Sequence, residues 1–359
     1  MTILSNITNV LITILVFFAI ILIHEMGHFL TAKAFKMRIY EFSIGMGPRL
    51  FSKTTKTTTW SFKLLPIGGS VQLGEDYESD DPADFRNKPV WQRMIVIVAG
   101  AVMNLILGYA VCVVSICADT NIATTEISRF YDTSVSSQVM QVGDKIVEID
   151  GMPIWTTMDI SYCLQNRAVK FDEQLGVATF DMTVIRGGQR VQLTVPLQAN
   201  VSDSKAGYGV VVDFMVMPEE KNLLTVPAAA GRMFLTESRL IWISFFDLIT
   251  GTYGLNDLSG PVGVVSTMAT ALEESFKIMS FSTFLMLIAL ITINLGIFNL
   301  LPIPALDGAR FLFLLIEAIR RKPISAEKEG WVHFIGFAAL MLLMLVVTFN
   351  DIVKLFSPQ

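Results

Sequence analysis

Four long stretches of the chain are almost entirely apolar, and they predict helices that cross a membrane. From Val10 to Ile23 the sequence has no charged residue and no proline. About 20 apolar helical residues cover the roughly 30 Å hydrocarbon layer of a bilayer. The four spans run approximately from Ile7 to Leu30, Met94 to Ala118, Phe281 to Leu301 and Trp331 to Val347. A further apolar piece, Phe311 to Ile319, is too short to cross alone.

The region between the second and third spans has a different pattern, in which apolar and polar residues alternate over short runs. These runs predict strands, and they include Lys145–Ile154, Thr183–Gly188 and Val191–Val195. Asp150-Gly151 and Gly187-Gly188 are dipeptides typical of hairpin turns. With one helical stretch at Met158–Asn166, the pattern predicts a small β-rich domain.

Residues 221–251 interleave large apolar residues with charged ones. This pattern predicts an amphipathic helix that lies on the outer membrane surface or clamps the helical bundle. A fifth membrane span is the alternative, but it would place Glu237 and Arg239 inside the bilayer at considerable cost.

A short strand-like segment lies between the first two spans. Thr57–Leu64 has a strand pattern, and Lys63–Leu73 is apolar and interrupted by glycines. We expect a β-hairpin that dips into the membrane among the helices, with a simple cytoplasmic loop as the alternative. An exposed strand edge at this depth would offer hydrogen bonds to an unwound segment of another protein.

These elements predict a polytopic α-helical membrane protein with four transmembrane helices, a membrane-dipping β-hairpin and a small β-rich domain. The expected domains are a first membrane half at 1–118, the β domain at 119–200, a linker with a membrane-surface helix at 201–280, and a second membrane half at 281–359. The composition agrees, since hydrophobic residues make up 52% and charged residues only 16%, against roughly 25% charged in soluble domains.

The distribution of basic residues orients the spans. Residues 33–93 contain ten Lys and Arg, and residues 302–330 contain five, whereas residues 118–280 contain eleven against nineteen acids. Basic residues collect on the cytoplasmic side. We therefore expect both termini and the β domain outside, and the ends of the first and third spans towards the cytoplasm. No signal-peptide pattern is present, so the first helix is expected to be retained.

The strongest chemical signal is His24-Glu25-Met26-Gly27-His28 at the end of the first apolar span. Two histidines at i and i+4 project from one helical face and can bind one zinc ion. The glutamate between them can act as general base on a water that the metal activates. Two interfacial histidines with a stray glutamate are the alternative interpretation.

A zinc ion held by two histidines needs a third protein ligand, and the best candidate is Asp307. It follows Pro302 and Pro304, which break the third span on the side where His24 and His28 are expected. Irregular backbone at membrane depth is tolerated where it lines a cavity. The alternative is that Asp307 simply caps the following helix, and both roles are compatible.

These residues resemble the site-2 protease family of intramembrane zinc metalloproteases, particularly the bacterial regulator-of-sigma-E type. The matching stretches are His24–His28, Phe42–Pro48, Leu65–Gln72, Ala99–Asn104, Leu258–Gly263 and Asn299–Gly308. They occur in the family's order and cover nearly the whole chain. Gly100-Ala101 departs from the family's glycine-proline pair, which removes an expected kink.

The resemblance implies further features. Gly143–Gly151 is similar to a PDZ signature, and there is room for a single PDZ-like domain, with a spacer or steric filter without ligand as the alternative to peptide binding. In the family, the stretch that matches Gly69, Ser70, Val71 and Gln72 contributes to substrate binding. The implied location is the bacterial inner (plasma) membrane, with the active site towards the cytoplasm.

The predicted function is an intramembrane zinc endopeptidase with one Zn²⁺ per chain, held by His24, His28 and Asp307. Asn104 and Asn299 are polar in apolar surroundings, and they are candidates to bind substrate or to pack against neighbouring helices. His333 is expected to be an interfacial residue rather than a fourth ligand.

The expected partners are the lipid bilayer, single-span membrane protein substrates, such as anti-sigma factors or signal-peptide remnants, and a peptide ligand of the PDZ-like domain. No nucleic acid is expected. Two alternatives are an inactive membrane-peptide scaffold or chaperone and a zinc transporter. The glutamate of the motif argues against the scaffold, and the scarcity of polar residues in the second and fourth spans argues against the transporter.

Overall fold

The computed structural model describes residues 3–55, 57–74, 81–166, 170–172, 176–200, 209–252, 254 and 258–356. Its helices, numbered in chain order, are α1 Ile3–Ala34, α2 Val90–Ala118, α3 Thr157–Asn166, α4 Thr225–Thr250, α5 Pro261–Ile278, α6 Ser282–Leu300, α7 Asp307–Arg320 and α8 Ala326–Phe356. The strands are β1 Glu41–Thr54, β2 Thr59–Gln72, β3 Ile122–Phe130, β4 Lys145–Ile149, β5 Met152–Pro153, β6 Lys170–Asp172, β7 Val177–Arg186, β8 Gln189–Asn200, β9 Gly209–Val210 and β10 Phe214–Glu219.

Within these ranges, four helices are long and apolar enough to cross a membrane, namely α1, α2, α6 and α8. They coincide with the four predicted spans, so this part of the prediction is confirmed. Helix α7 covers the short apolar piece, and its 14 residues give a helix only about 21 Å long, which is too short to cross the membrane. The chain is therefore a multi-pass helical protein with an additional β-rich region.

The chain divides into two compact units. The first contains Met1–Cys112 and Leu240–Gln359, and the second contains Val113–Arg239. All residues of the predicted metal site belong to the first unit. The β-rich region belongs to the second.

In the first unit, β1 and β2 are both bent, so that they form four paired segments rather than a plain hairpin. Residues 51–54 pair antiparallel with 59–62, and residues 41–44 lie parallel to 59–62 and antiparallel to 69–72. The chain reverses in β1 at Gly45 and Gly47, whose φ angles are 85° and 89°. Such angles are favourable only for glycine. Among the residues that the structure describes, 69–72 pair only with 41–44 and thus form an edge of this small sheet.

An apolar core fixes this sheet against α1 and α2. The ring of Phe42 packs edge-to-face on that of Phe29 at 5.4 Å, and Val96 and Ile97 of α2 belong to the same buried cluster. Leu314 of α7 joins it. The sheet is therefore held beside the end of α1 that carries the two histidines.

The second unit contains an antiparallel sheet with the order β10-β3-β4-β7-β8-β9. Both predicted turns occur, and their central residues have positive φ: 46° and 78° at Asp150 and Gly151, 57° and 83° at Gly187 and Gly188. This is the pattern of the tight turns that suit hairpins. The sheet continues past residue 200, because β10 pairs with β3.

One buried ion pair stabilises the turn before β4. Arg186 donates to both carboxylate oxygens of Asp144, at 2.8 and 2.6 Å. Burial raises the pKa of Asp144, but hydrogen bonds from Arg186 and from the Gln141 N–H outweigh this effect and leave the pKa below its ordinary value.

Helix α4, the predicted amphipathic helix, uses its polar residues to contact the β-rich region. The Arg239 guanidinium lies 2.5 Å from Asp159 Oδ1 and 4.0 Å from the centre of the Trp155 ring. The Thr236 hydroxyl also donates to Asp159, at 3.0 Å. Glu237 is fully buried, and this burial raises its pKa to about 8.

Helix α5 was not predicted, because its residues fell within the expected linker. It begins after Gly260 with Pro261 at its first position, where proline is well tolerated. The buried Asp351 of α8 accepts a hydrogen bond from the Gly263 N–H at 2.8 Å. This carboxylate therefore satisfies one of the free amides at the start of α5.

Candidate metal centre

His24 and His28 lie one turn apart on α1 and face the same way. Their Nε2 atoms are 3.2 Å apart, and each residue is only 8% exposed. Two imidazoles buried this closely in apolar surroundings require a cation or proton donors to satisfy their nitrogens. The spacing predicted from the sequence is therefore realised in the fold.

Asp307, the first residue of α7, brings a carboxylate to the two histidines. Its Oδ2 lies 3.1 Å from His24 Nε2 and 3.2 Å from His28 Nε2. In the described part of the chain, these three residues form the cluster of groups that could hold a metal ion. Ligands of a tetrahedral zinc ion lie roughly 3.3 Å apart, given bonds of about 2.0–2.1 Å.

Two nitrogens and one carboxylate oxygen are also the donor set that catalytic zinc sites use, with a fourth position left open. The donor atoms of His24, His28 and Asp307 therefore fit zinc in both chemistry and separation.

Contacts with α2 set the orientation of both rings. The Nδ1–H of His28 donates to the Val96 carbonyl at 2.8 Å, which leaves Nε2 free for a metal. His24 Nδ1 lies 3.2 Å from the side-chain nitrogen of Asn104, whose Oδ1 is buried without a partner among the described residues. Turning the amide by 180° pairs this oxygen with His24 Nδ1–H, the tautomer that a metal on Nε2 requires.

A glycine on α2 makes the close approach of α1 feasible. A Cβ atom at Gly100 would lie 2.3 Å from His28 Nε2 and 2.8 Å from His24 Cε1. Helix α2 continues without interruption through Gly100-Ala101, where the family's proline is missing. The functional requirement at residue 100 is therefore space beside the imidazoles.

Glu25 lies beside the metal cluster and faces a cavity of about 940 Å³. The edge segment of the small sheet lines the same cavity, with Gly69, Ser70, Val71 and Gln72. A Cβ atom at Gly69 would lie 2.8 Å from Glu25 Cγ. The edge segment therefore lies beside the side chain of Glu25, with no room for a side chain at residue 69.

Not every candidate residue borders this cavity. Asn104 is fully buried behind His24, and Asn299 is 8% exposed near the end of α6; neither lines the cavity. Substrate contact by either asparagine stays a prediction, while Asn104 has a direct contact with a histidine ring.

Three cavity residues were not identified as functional from the sequence. Tyr40 and Arg310 line the cavity, and Arg310 follows Asp307 by one helical turn, a spacing that could have indicated it. His333 also lines it, and its Nδ1 accepts a hydrogen bond from the Ala305 N–H at 3.0 Å. His333 thus contacts the loop before Asp307, and it is not part of the three-residue metal cluster.

The sequence of this chain is similar to those of known proteins. The model of peptidase family M50 matches residues 12–343, so the chain belongs to this family. The site-2 protease resemblance of the sequence is thereby confirmed at the family level.

Similar proteins in other bacteria carry consistent names. A Clostridium acetobutylicum protein with a zinc-metalloprotease name is 34% identical over 349 residues, covering 96% of this chain and 97% of that protein. The regulator of sigma-W protease RasP of Bacillus subtilis is 30% identical over 436 aligned positions, covering 98% of this chain and 99% of RasP. Because this chain has only 359 residues, RasP has residues without a counterpart here.

The chain is therefore an intramembrane zinc metalloprotease, and its cofactor is zinc. Its substrates are membrane proteins, and it works in a lipid environment. An inactive scaffold is not favoured.

Proposed function

We propose that this protease cleaves peptide bonds inside membrane-spanning segments of single-span proteins. The observation that carries the proposal is the placement of a sheet edge, residues 69–72, in the cavity that contains Glu25; within the described ranges, this segment has a strand partner on one side only. A transmembrane helix must unwind before its peptide bonds can be hydrolysed. Backbone groups freed in this way need new hydrogen-bond partners in an apolar environment, and a strand edge supplies them.

His24, His28 and Asp307 are proposed to hold the zinc ion. When bound there, zinc supplies Lewis acidity, which polarises a carbonyl and lowers the pKa of water to about 7. Glu25 takes a proton from the attacking water and then delivers a proton to the leaving amine nitrogen. The Val96 carbonyl and Asn104 keep the imidazoles oriented throughout.

An assay with a radiolabelled single-span substrate tests this proposal. We expect the purified protease in lipid to cut within the membrane segment and to stop when a zinc chelator is added. Cleavage confined to residues outside the segment, or cleavage insensitive to the chelator, would contradict it.

Replacing Asp307 with alanine should lower zinc occupancy and activity together. The change removes one of three ligands, and a two-histidine site binds zinc much more weakly. Metal analysis of the purified variant, alongside the rate of substrate cleavage, measures both effects. Full occupancy with normal activity would mean that the third ligand lies elsewhere.

The membrane orientation follows from the charge distribution. Residues 33–93 and 302–330 are proposed to face the cytoplasm, with both termini and the β-rich region on the outer side. The zinc site then lies towards the cytoplasmic end of α1.

The β-rich region is proposed to be a single PDZ-like domain that acts as a size filter. Outer residues 118–280 contain nineteen acids against eleven bases, and no obvious carboxylate-binding glycine loop precedes Val142. These features favour exclusion of large outer domains over capture of a peptide terminus.

A deletion tests the filter. Ile122 and Glu219 are paired neighbours at one end of the sheet, so removing Ile122–Glu219 leaves ends that a short linker can join. We expect the deleted protease to cut a full-length substrate that the intact protease accepts only after its outer domain is trimmed. Both proteins should be assayed with one substrate in two lengths. Unchanged discrimination would refute the filter, and slower cleavage of the trimmed form would indicate peptide recruitment instead.

A further inference from the structure

A buried ion pair joins α7 to α2. Arg93 donates to Glu317 Oε1 at 2.5 Å and to Oε2 at 3.2 Å, and its Nε donates to the Lys88 carbonyl at 3.1 Å. The side chains of Arg93 and Glu317 are only 9% and 15% exposed. A two-point contact between a guanidinium and a carboxylate restricts orientation as well as distance.

The two partner helices both contribute to the metal centre. Helix α7 begins at Asp307, and Glu317 lies ten residues further on, which is about 15 Å along the axis. Helix α2 holds the rings of His24 and His28 through Asn104 and the Val96 carbonyl. The ion pair therefore links the helix with the carboxylate ligand to the helix that orients the histidine ligands.

The N-terminal end of α7 is tightly packed against the loop that precedes it. Ala305 has a φ of +74°, and its N–H donates to His333. A Cβ atom at Gly308 would lie 2.0 Å from the Leu301 carbonyl oxygen. Because this loop holds the start of α7, release of the far end would let the helix rotate as a rigid body about the loop, and such a rotation would turn the Asp307 carboxylate relative to the two imidazoles.

We propose that the Arg93–Glu317 pair positions Asp307 for zinc binding, without touching metal or substrate itself. The proposal rests on the ligand role assigned to Asp307 under the proposed function. Buried ion pairs give little net stability compared with apolar residues of the same size. The contribution of the pair is therefore to fix the orientation of α7 relative to α2, and Arg93 and Glu317 are positioning residues.

The test measures zinc affinity of the full-length protein in lipid nanodiscs by competition with a chelator. Glu317→Gln keeps the shape but removes the charge, and it should weaken zinc binding by about 10- to 100-fold, as loss of an orienting group typically does. Arg93→Lys keeps the charge without the fork and should give a smaller loss. The charge swap, Arg93→Glu with Glu317→Arg, should recover most of the affinity. Glu327→Gln, an equal charge change at an exposed position of α8, is the matched control.

Thermal unfolding of the metal-free proteins separates positioning from stability. A lower melting temperature with unchanged zinc affinity in Glu317→Gln would overturn the proposal, as would equal losses in Glu317→Gln and Glu327→Gln. If the charge-swap variant does not fold, the single variants still test the proposal. Zinc affinity should then decrease from wild type to Arg93→Lys and further to Glu317→Gln, and any other order would contradict the proposal. Weak zinc binding by Asp307→Ala together with normal binding by Glu317→Gln would refute this inference alone, whereas normal binding by Asp307→Ala would refute the proposed ligand.

Discussion

The variant Glu25→Gln should lose cleavage activity almost completely while retaining its zinc. Glutamine nearly matches glutamate in shape but cannot accept a proton from the attacking water. Loss of a general base typically costs about 10²- to 10⁴-fold in rate. Glu25 lies beside the edge segment at Gly69 and is not part of the three-residue metal cluster, so metal analysis of the purified variant should give full occupancy.

Two results would contradict this assignment. Wild-type turnover by Glu25→Gln would show that another group is the base. Zinc loss from a correctly folded variant would make Glu25 a metal ligand instead. Measuring zinc content and cleavage rate on the same preparation distinguishes the two.

The variant Gly100→Ala should lose zinc as well as activity, although residue 100 has no chemical role. The added methyl group would lie 2.3 Å from His28 Nε2, well inside van der Waals contact. The imidazole must move, and a ligand displaced by even a few tenths of an ångström no longer meets the zinc bond lengths of about 2.0–2.1 Å. Zinc per protein should fall well below one by elemental analysis.

Gly108→Ala on the same helix is the matched control. There the added methyl would lie 2.5 Å from Ile293 Cγ1, a side-chain atom away from the metal cluster. Both variants make the same chemical change on α2 and introduce a close contact with a neighbouring helix, α1 for Gly100 and α6 for Gly108. We expect zinc loss only in Gly100→Ala, and equal zinc content in the two variants would contradict the steric argument.

The helices of this protein were largely predictable because their signal is local. The four apolar spans coincide with α1, α2, α6 and α8, since each helix satisfies its own backbone hydrogen bonds and needs only apolar residues to suit lipid. The turns at Asp150-Gly151 and Gly187-Gly188 followed from local chemistry in the same way.

The small sheet of the first unit was less predictable. A hairpin was expected, but β1 and β2 bend so that 41–44 lies between 59–62 and 69–72. Glycine interruptions indicate where a strand can bend, yet they do not specify which segments then pair. Pairing depends on packing against α1 and α2, which acts over long sequence separations.

By itself the sequence determined the four spans and the histidine pair at i and i+4, because periodicity and motif spacing depend on neighbouring residues. It also indicated Asp307 as the candidate third ligand. Only the tertiary structure decided that Asp307 lies 3.1 Å from His24 across 283 residues of sequence. It alone brought Gly100 against the imidazoles and paired Arg93 with Glu317. Such contacts form between helix faces, and helix packing depends on the shapes of both partners, which no single segment contains.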